Sequence, residues 1–317
     1  LGGAVFFFVV LLAFVCLVPV FGFFVVFLSS LFFAMAVPLE YLFVSPFFRW
    51  GAAAPSRLVC QIFGDDPRIM AEAACRIENE GLFGVDINMG CSNTAICRRN
   101  CGAALLKNPA LATAIVAAVR KAINCPLTVK FRTGWKDDPT LAVELAKRFE
   151  DAGADALTFH PRVAPDRRSR PPKWAFIGLV KQAVSIPVFG NGDIFDRNDC
   201  QRMMEETGCD GAALGRMAVA RPWIFAEFLD SLQTGPEIFQ EAALELIKLL
   251  EIHYDSVRAI KRFRRFAFYF CANFRFGHAL YTRILNGLDM AQMEAIVRRF
   301  FEQPPDIQSR PNMIFFN

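Results

Sequence analysis

From residue 57 onward, short apolar runs alternate with longer amphipathic stretches at a steady spacing. Residues 58–64 form an apolar run closed by glycine, Asp65-Asp66-Pro67 reads as a helix entry, and an Ala-rich helix follows to about residue 79. The same pattern predicts strands at 84–88, 126–132, 155–160, 186–191 and 211–214. Helices are predicted after them, from Asn108-Pro109 to about 123 and at 140–152, 174–184, 197–207 and 222–232. Strands and helices in strict alternation imply a parallel sheet. Six such units plus up to two upstream favour a (β/α)8 TIM barrel over an open doubly wound sheet, and no Gly-x-Gly-x-x-Gly follows the first recognisable strand.

After about residue 235 the strands stop, and helices are predicted at 237–252, 254–270, 278–285 and 290–301. The expected organisation is an apolar segment 1–56, a barrel 57–235, a small C-terminal helical domain 236–305 and a tail 306–317. The first segment breaks the pattern: no charge precedes Glu40, and residues 5–36 are long and apolar enough to span a bilayer. It reads as a membrane anchor, as an uncleaved signal-like segment lacking a basic start, or as an aberrant version of the barrel's first βα units. The regular βα array behind it favours the last, with no membrane role. The chain opens on Leu1 rather than Met, which leaves room for residues before it.

Charge changes the picture only locally. Thirty-five Lys and Arg against 31 Asp and Glu are too nearly balanced to imply nucleic acid, but residues 251–300 hold nine basic residues against four acidic ones, interleaved with aromatics. Arg262, Arg265 and Arg275 belong to this set, which reads either as the solvated face of an amphipathic helix or as a surface for folded RNA. Ten cysteines scattered through apolar segments of a chain this long point to a reducing, cytoplasmic setting.

In a barrel, chemistry belongs at the carboxyl ends of the strands. Polar residues collect there: Gln61, Asn88 with Cys91, Lys130 with Arg132, His160 with Arg162, Asn191, and Gly215-Arg216. Cys91 could be a nucleophile, a metal ligand or a core residue, although its spacing to Cys97 and Cys101 fits no common zinc or ferredoxin pattern, so no metal is expected. Lys130 in an apolar strand is either ion-paired or placed to stabilise charge on a reduced flavin. The glycines of Gly190-Asn191-Gly192-Asp193 and Gly215-Arg216, at successive strand ends, suit a phosphorylated cofactor. His160 opens a basic loop with Arg162, Arg167, Arg168, Arg170 and Lys173.

The ordered set Asp86-Ile87-Asn88-Met89-Gly90-Cys91, Gly102-Ala103-Ala104-Leu105-Leu106, Thr128 through Trp135, Gly190 through Ile194 and Gly215 through Phe225 resembles the tRNA-dihydrouridine synthase family over about residues 57–302. The resemblance implies an FMN-containing barrel that uses NADPH to reduce the 5,6 double bond of uridines in tRNA. It implies Cys91 as proton donor, Gln61, Asn88, Lys130 and His160 around the flavin ring, and Asn191, Gly192, Asp193, Gly215 and Arg216 near its phosphate. Arg98, Arg99, Arg162, Arg167, Arg168, Arg262, Arg265 and Arg275 are the expected tRNA contacts, and no stable protein partner is implied. Ser92 replaces the family's usual proline, and residues 17–22 only faintly resemble the family's first strand. That departure keeps open two alternatives, an FMN barrel acting on a free small molecule and an inactive RNA-binding relic.

Overall fold

The computed structural model describes residues 6–13, 23–26, 35–36, 58–166, 170–229 and 234–316. The chain divides into two compact units, Leu1–Asp193 with Asn198–Leu214, and Ile194–Arg197 with Gly215–Asn317.

The first unit holds strands β1 (Phe6–Ala13), β2 (Phe23–Val26), β3 (Met35–Ala36), β4 (Leu58–Phe63), β5 (Gly84–Met89), β6 (Leu127–Gly134), β7 (Ala156–Val163), β8 (Val188–Asn191) and β9 (Gly211–Leu214). Helices α1 (Pro67–Asn79), α2 (Thr94–Cys97), α3 (Pro109–Ala122), α4 (Thr140–Asp151), α5 (Ala175–Ala183) and α6 (Arg197–Thr207) alternate with them. Strands β4 to β9 pair in parallel in sequence order and form a curled half-barrel. Strand β2 joins β9 in parallel, whereas β1 runs antiparallel to β4 and β3. The remainder of the apolar segment, including residues 17–22, lies outside the described residues. Among the described residues, no helix is long and apolar enough to cross a membrane.

Local chemistry explains the helix entries. Asp66 accepts from the N–H groups of Arg68 and Ile69 ahead of Pro67, and Asn108 accepts from Leu111 N–H ahead of Pro109. Each such cap contributes about 1 kcal/mol. Every residue of β5 and β7 is buried, as expected where helices cover a parallel sheet. Phe131 sits at the middle of the packing, with ring centroids 5.5 Å from Phe149 and 4.9 Å from Phe159.

Carboxylates tie down the chain where it enters the strands. Glu78 accepts from Asn124 and Cys125 N–H, Asp155 from Leu127 N–H, and Asp210 from Val188 N–H, at 2.7 to 2.8 Å. Glu150 accepts from the Ser185 hydroxyl and from Ser185 and Ile186 N–H. The Ser185 hydroxyl, then the two N–H groups, hold the Glu150 carboxyl below its usual pKa. A depressed folded-state pKa means the stabilisation is complete above the unfolded value of about 4.3 and disappears as pH falls through the folded one. Accordingly, the melting-temperature gap between wild type and Glu150→Gln should be full at neutral pH and shrink in acid. A gap that does not change with pH would contradict this.

The second unit is helical: α7 (Arg216–Ala220), α8 (Ile224–Phe228), α9 (Pro236–His253), α10 (Ser256–Phe270), α11 (Gly277–Asn286) and α12 (Met290–Phe300). The helix predicted over 222–232 is shorter, and residues 230–233 lie outside the described set. Arg221, in the break between α7 and α8, donates to Asn273 Oδ1, Glu227 and the Gln308 carbonyl. Asn273, fully buried, returns its amide to the carbonyls of Ala220 and Phe270. Helix α10 buries Ala259, Phe263, Phe266, Ala267 and Phe270 and exposes Arg258, Lys261 and Arg265, a clean amphipathic division.

Candidate active site

Strand β5 delivers Asn88 and then Cys91 to the carboxyl end of the parallel sheet. Asn88 Oδ1 accepts from the N–H groups of Gly90 (3.0 Å) and Cys91 (2.9 Å), which folds the chain sharply after the strand. Its Nδ2 donates to Gln61 Oε1 at 2.7 Å. Gln61 Nε2 in turn donates to Asp86 Oδ2 at 2.5 Å, and the Thr128 hydroxyl donates to Asp86 Oδ1 at 2.6 Å. Gln61, Asp86, Asn88 and Thr128 are all buried.

The far side of the loop is held as firmly. The Cys91 carbonyl accepts from Ala103 N–H at 2.9 Å and from the Cys97 thiol at 3.4 Å. The half-buried Cys91 side chain packs against Phe63, Ile96 and Cys101. The Trp135 indole, from the end of β6, donates to the Ala103 carbonyl at 2.9 Å, and the Lys107 ammonium lies 3.8 Å over its ring.

Gly102 makes the close approach possible. Its φ is +61°, and a Cβ there would lie 2.6 Å from the Cys91 carbonyl oxygen. Gly81 has a similar φ of +75° but open space around it, so it separates backbone strain from collision. Gly102→Ala should therefore cost about 1–3 kcal/mol more than Gly81→Ala in denaturant unfolding. Equal losses would show that the loop has room to spare.

Two cations stand beside the thiol loop. Burial, then Arg132, pushes the Lys130 ammonium below its usual pKa, while Asp86 opposes the shift. Burial lifts Asp86, and the hydrogen bonds from Thr128 and Gln61 and the charge of Lys130 draw it back. Arg132 packs its stem near Gly90, and burial lowers its guanidinium to about 10. Its Nε and Nη1 are buried and meet no hydrogen-bond partner among the described residues. Such donors are costly to leave unmatched, so two buried guanidinium nitrogens at a strand end suit an acceptor brought by a ligand.

His160 is buried within the second half of β7 against Gly192, whose φ of +127° takes the backbone where a Cβ would come 3.0 Å from the imidazole and 2.9 Å from Pro172. Asn191 uses its amide to bridge to the Ala213 carbonyl (2.6 Å), and the Gly192 carbonyl accepts from the Trp174 indole. Arg162 is buried beside them. Its side chain is only 5% exposed, ion-paired to Asp193 at 2.6 Å and bonded to the Arg170 carbonyl. Arg170 and Lys173 are exposed but face Asp137, with Arg170 also on Asp166. Arg98 and Arg99 are exposed just after α2. Arg167 and Arg168 lie outside the described residues.

Gly215 and Arg216 belong to the second unit. The Arg216 guanidinium donates to the Phe316 carbonyl and lies 5.3 Å from the Phe316 ring and 5.9 Å from that of Phe195. In the same unit Arg265 and Arg275 are exposed, Arg275 within 3.4 Å of Asp306, and Arg262 covers the Tyr254 ring at 4.3 Å. Sequence reading names Asp86, Thr128 and Trp135 only within motifs and does not disclose the hydrogen bonds that join them to Gln61, to each other and to the Ala103 carbonyl, nor the two unmatched nitrogens of Arg132.

The family model for dihydrouridine synthase matches residues 49–281, which include every one of these strand ends. The chain is 37% identical over 251 residues to tRNA-dihydrouridine synthase B of Pseudomonas aeruginosa, covering 77% of this chain and 75% of that one. It is 35% identical over 260 residues to tRNA-dihydrouridine synthase B of Pseudomonas syringae pv. tomato, covering 80% and 77%. A probable tRNA-dihydrouridine synthase 1 of Synechocystis is 36% identical over 220 residues, covering 68% and 62%. With the model matching most of its length, the chain belongs to the dihydrouridine synthase family.

Proposed function

We propose that the protein reduces particular uridines of tRNA to 5,6-dihydrouridine, with FMN as bound cofactor and NADPH as reductant. The carrying observation is a half-buried thiol, Cys91, fixed at a strand end beside Arg132, whose guanidinium holds two buried, unmatched nitrogens. The residues present fit a flavin. Gly192 brings bare backbone against His160 where no Cβ fits, and Lys130 and Arg132 provide cations at a face where negative charge would have to be met.

When bound, reduced FMN supplies the hydride for C6 of the uracil. The chain's part is to hold the base and to deliver the proton that C5 requires, which falls to the Cys91 thiol. For that role the loop that carries the thiol is pinned through its backbone, by Asn88 on one side and Ala103 on the other. Lys130 and His160 are assigned to the isoalloxazine ring, Gln61 through its remaining amide proton, and Asn191, Gly192 and Asp193 to the phosphate end by their backbone. A base in folded tRNA must leave its stack to reach such a site. Arg98 and Arg99 beside the loop, and Arg262, Arg265 and Arg275 of the helical unit, are the proposed phosphate contacts. Ten cysteines spread through apolar segments of a chain this long suit a reducing, cytoplasmic setting.

One absorbance spectrum of the purified protein tests the cofactor. The oxidised isoalloxazine bands should be present or appear on reconstitution with FMN. Folded protein that acquires no flavin under either condition would refute the proposal.

A further inference from the structure

We propose that Asp86 is a positioning residue for the Cys91 loop, the terminal acceptor of a hydrogen-bond chain that runs through the Gln61 and Asn88 amides to the N–H groups of Gly90 and Cys91. This rests on the reading of Cys91 as the reacting thiol.

The order of donors leaves no freedom in the chain. Backbone N–H groups can only donate, so Asn88 turns its oxygen to Gly90 and Cys91 and its NH2 to Gln61. Gln61 must then accept through oxygen, and its own NH2 faces onward to a group able to accept. Asp86 meets it at 2.5 Å. An ionised carboxylate only accepts, and the Thr128 hydroxyl fills its other oxygen at 2.6 Å. Gln61 and Asn88 come from different strands, β4 and β5, so a single buried carboxylate sets both rotamers and with them the turn that carries Cys91. A carboxylate fully buried in a strand is costly unless such work offsets it.

The geometry also says which substitution can rescue. In Asp86→Asn the side-chain oxygen still accepts from Gln61, and the Thr128 hydroxyl can turn to accept from the new amide. In Asp86→Ala the chain loses its terminus and Gln61 is free to flip.

The test measures the alkylation rate of Cys91 by iodoacetamide, mapped by mass spectrometry in the folded protein, with Cys75 on α1 as internal reference. Asp86→Ala should speed Cys91 alkylation by about fivefold or more without changing Cys75, because the loop loses its anchor. Asp86→Asn should stay close to wild type. Should Asp86→Ala fail to fold, Gln61→Ala cuts the same chain one link on and should give the same acceleration. Wild-type Cys91 rates in whichever alanine variant folds, or an Asp86→Asn rate matching that variant's, would overturn the proposal. Wild-type protein that forms no dihydrouridine would instead refute the proposed function and leave the alkylation result standing.

Discussion

Cys91→Ala should fold, bind flavin and form dihydrouridine at least about a hundredfold more slowly than wild type, the span expected when a positioned general acid is lost. The contacts that shape the loop spare the side chain: Cys91 N–H bonds to Asn88 and the Cys91 carbonyl accepts from Ala103 N–H. Removing Sγ leaves those in place and forfeits only packing against Phe63, Ile96 and Cys101. The effect should therefore appear in single-turnover rate on tRNA, with flavin content and melting temperature close to wild type. Cys91→Ser should fail to rescue, because a serine hydroxyl is a far weaker acid than a thiol. A Cys91→Ala variant with the wild-type rate would remove the thiol from the chemistry.

The largest effect on stability is expected in the helical unit. Phe274 is 1% exposed, and its ring lies 5.1 Å from Phe300, 5.3 Å from Phe270, 5.4 Å from Phe239 and 5.7 Å from Phe301. It also sits beside Asn273, which joins Arg221 to the carbonyls of Ala220 and Phe270. Phe274→Ala opens a cavity among rings already packed edge to face and should cost about 3–5 kcal/mol in urea unfolding. Phe274→Leu should recover part of it. A loss below about 1 kcal/mol would mean that the cluster collapses around the gap.

What the sequence reveals and what it hides follow from the range of the interactions. The entries at Asp66-Pro67 and Asn108-Pro109 are legible because cap, proline and first turn are neighbours in the chain. The six parallel strands are legible because covered strands read as continuous apolar runs. Asp86 is legible by the same logic as Lys130, since a carboxylate inside an apolar strand needs a partner. Its partners, Gln61 and Thr128, are 25 and 42 residues away, so their identity was not legible. Around Arg162 the sequence shows a basic loop, and counting charges cannot see Asp193 arriving from another strand end at 2.6 Å. Nor can it see Asp137, from the loop after β6, pairing with Arg170 and Lys173 of the same loop. Arg221 is held by Asn273 and Gln308, 52 and 87 residues on, which the local pattern around the α7–α8 break does not disclose.

The most direct test of the central claim is nucleoside mass spectrometry of unmodified tRNA incubated with flavin-loaded protein and NADPH. Dihydrouridine should appear at a restricted set of uridines, only with reductant present, and free uridine should remain unchanged. Folded, flavin-loaded protein that leaves every uridine of its host's unmodified tRNAs intact, or that reduces free uridine as readily as tRNA, would contradict it.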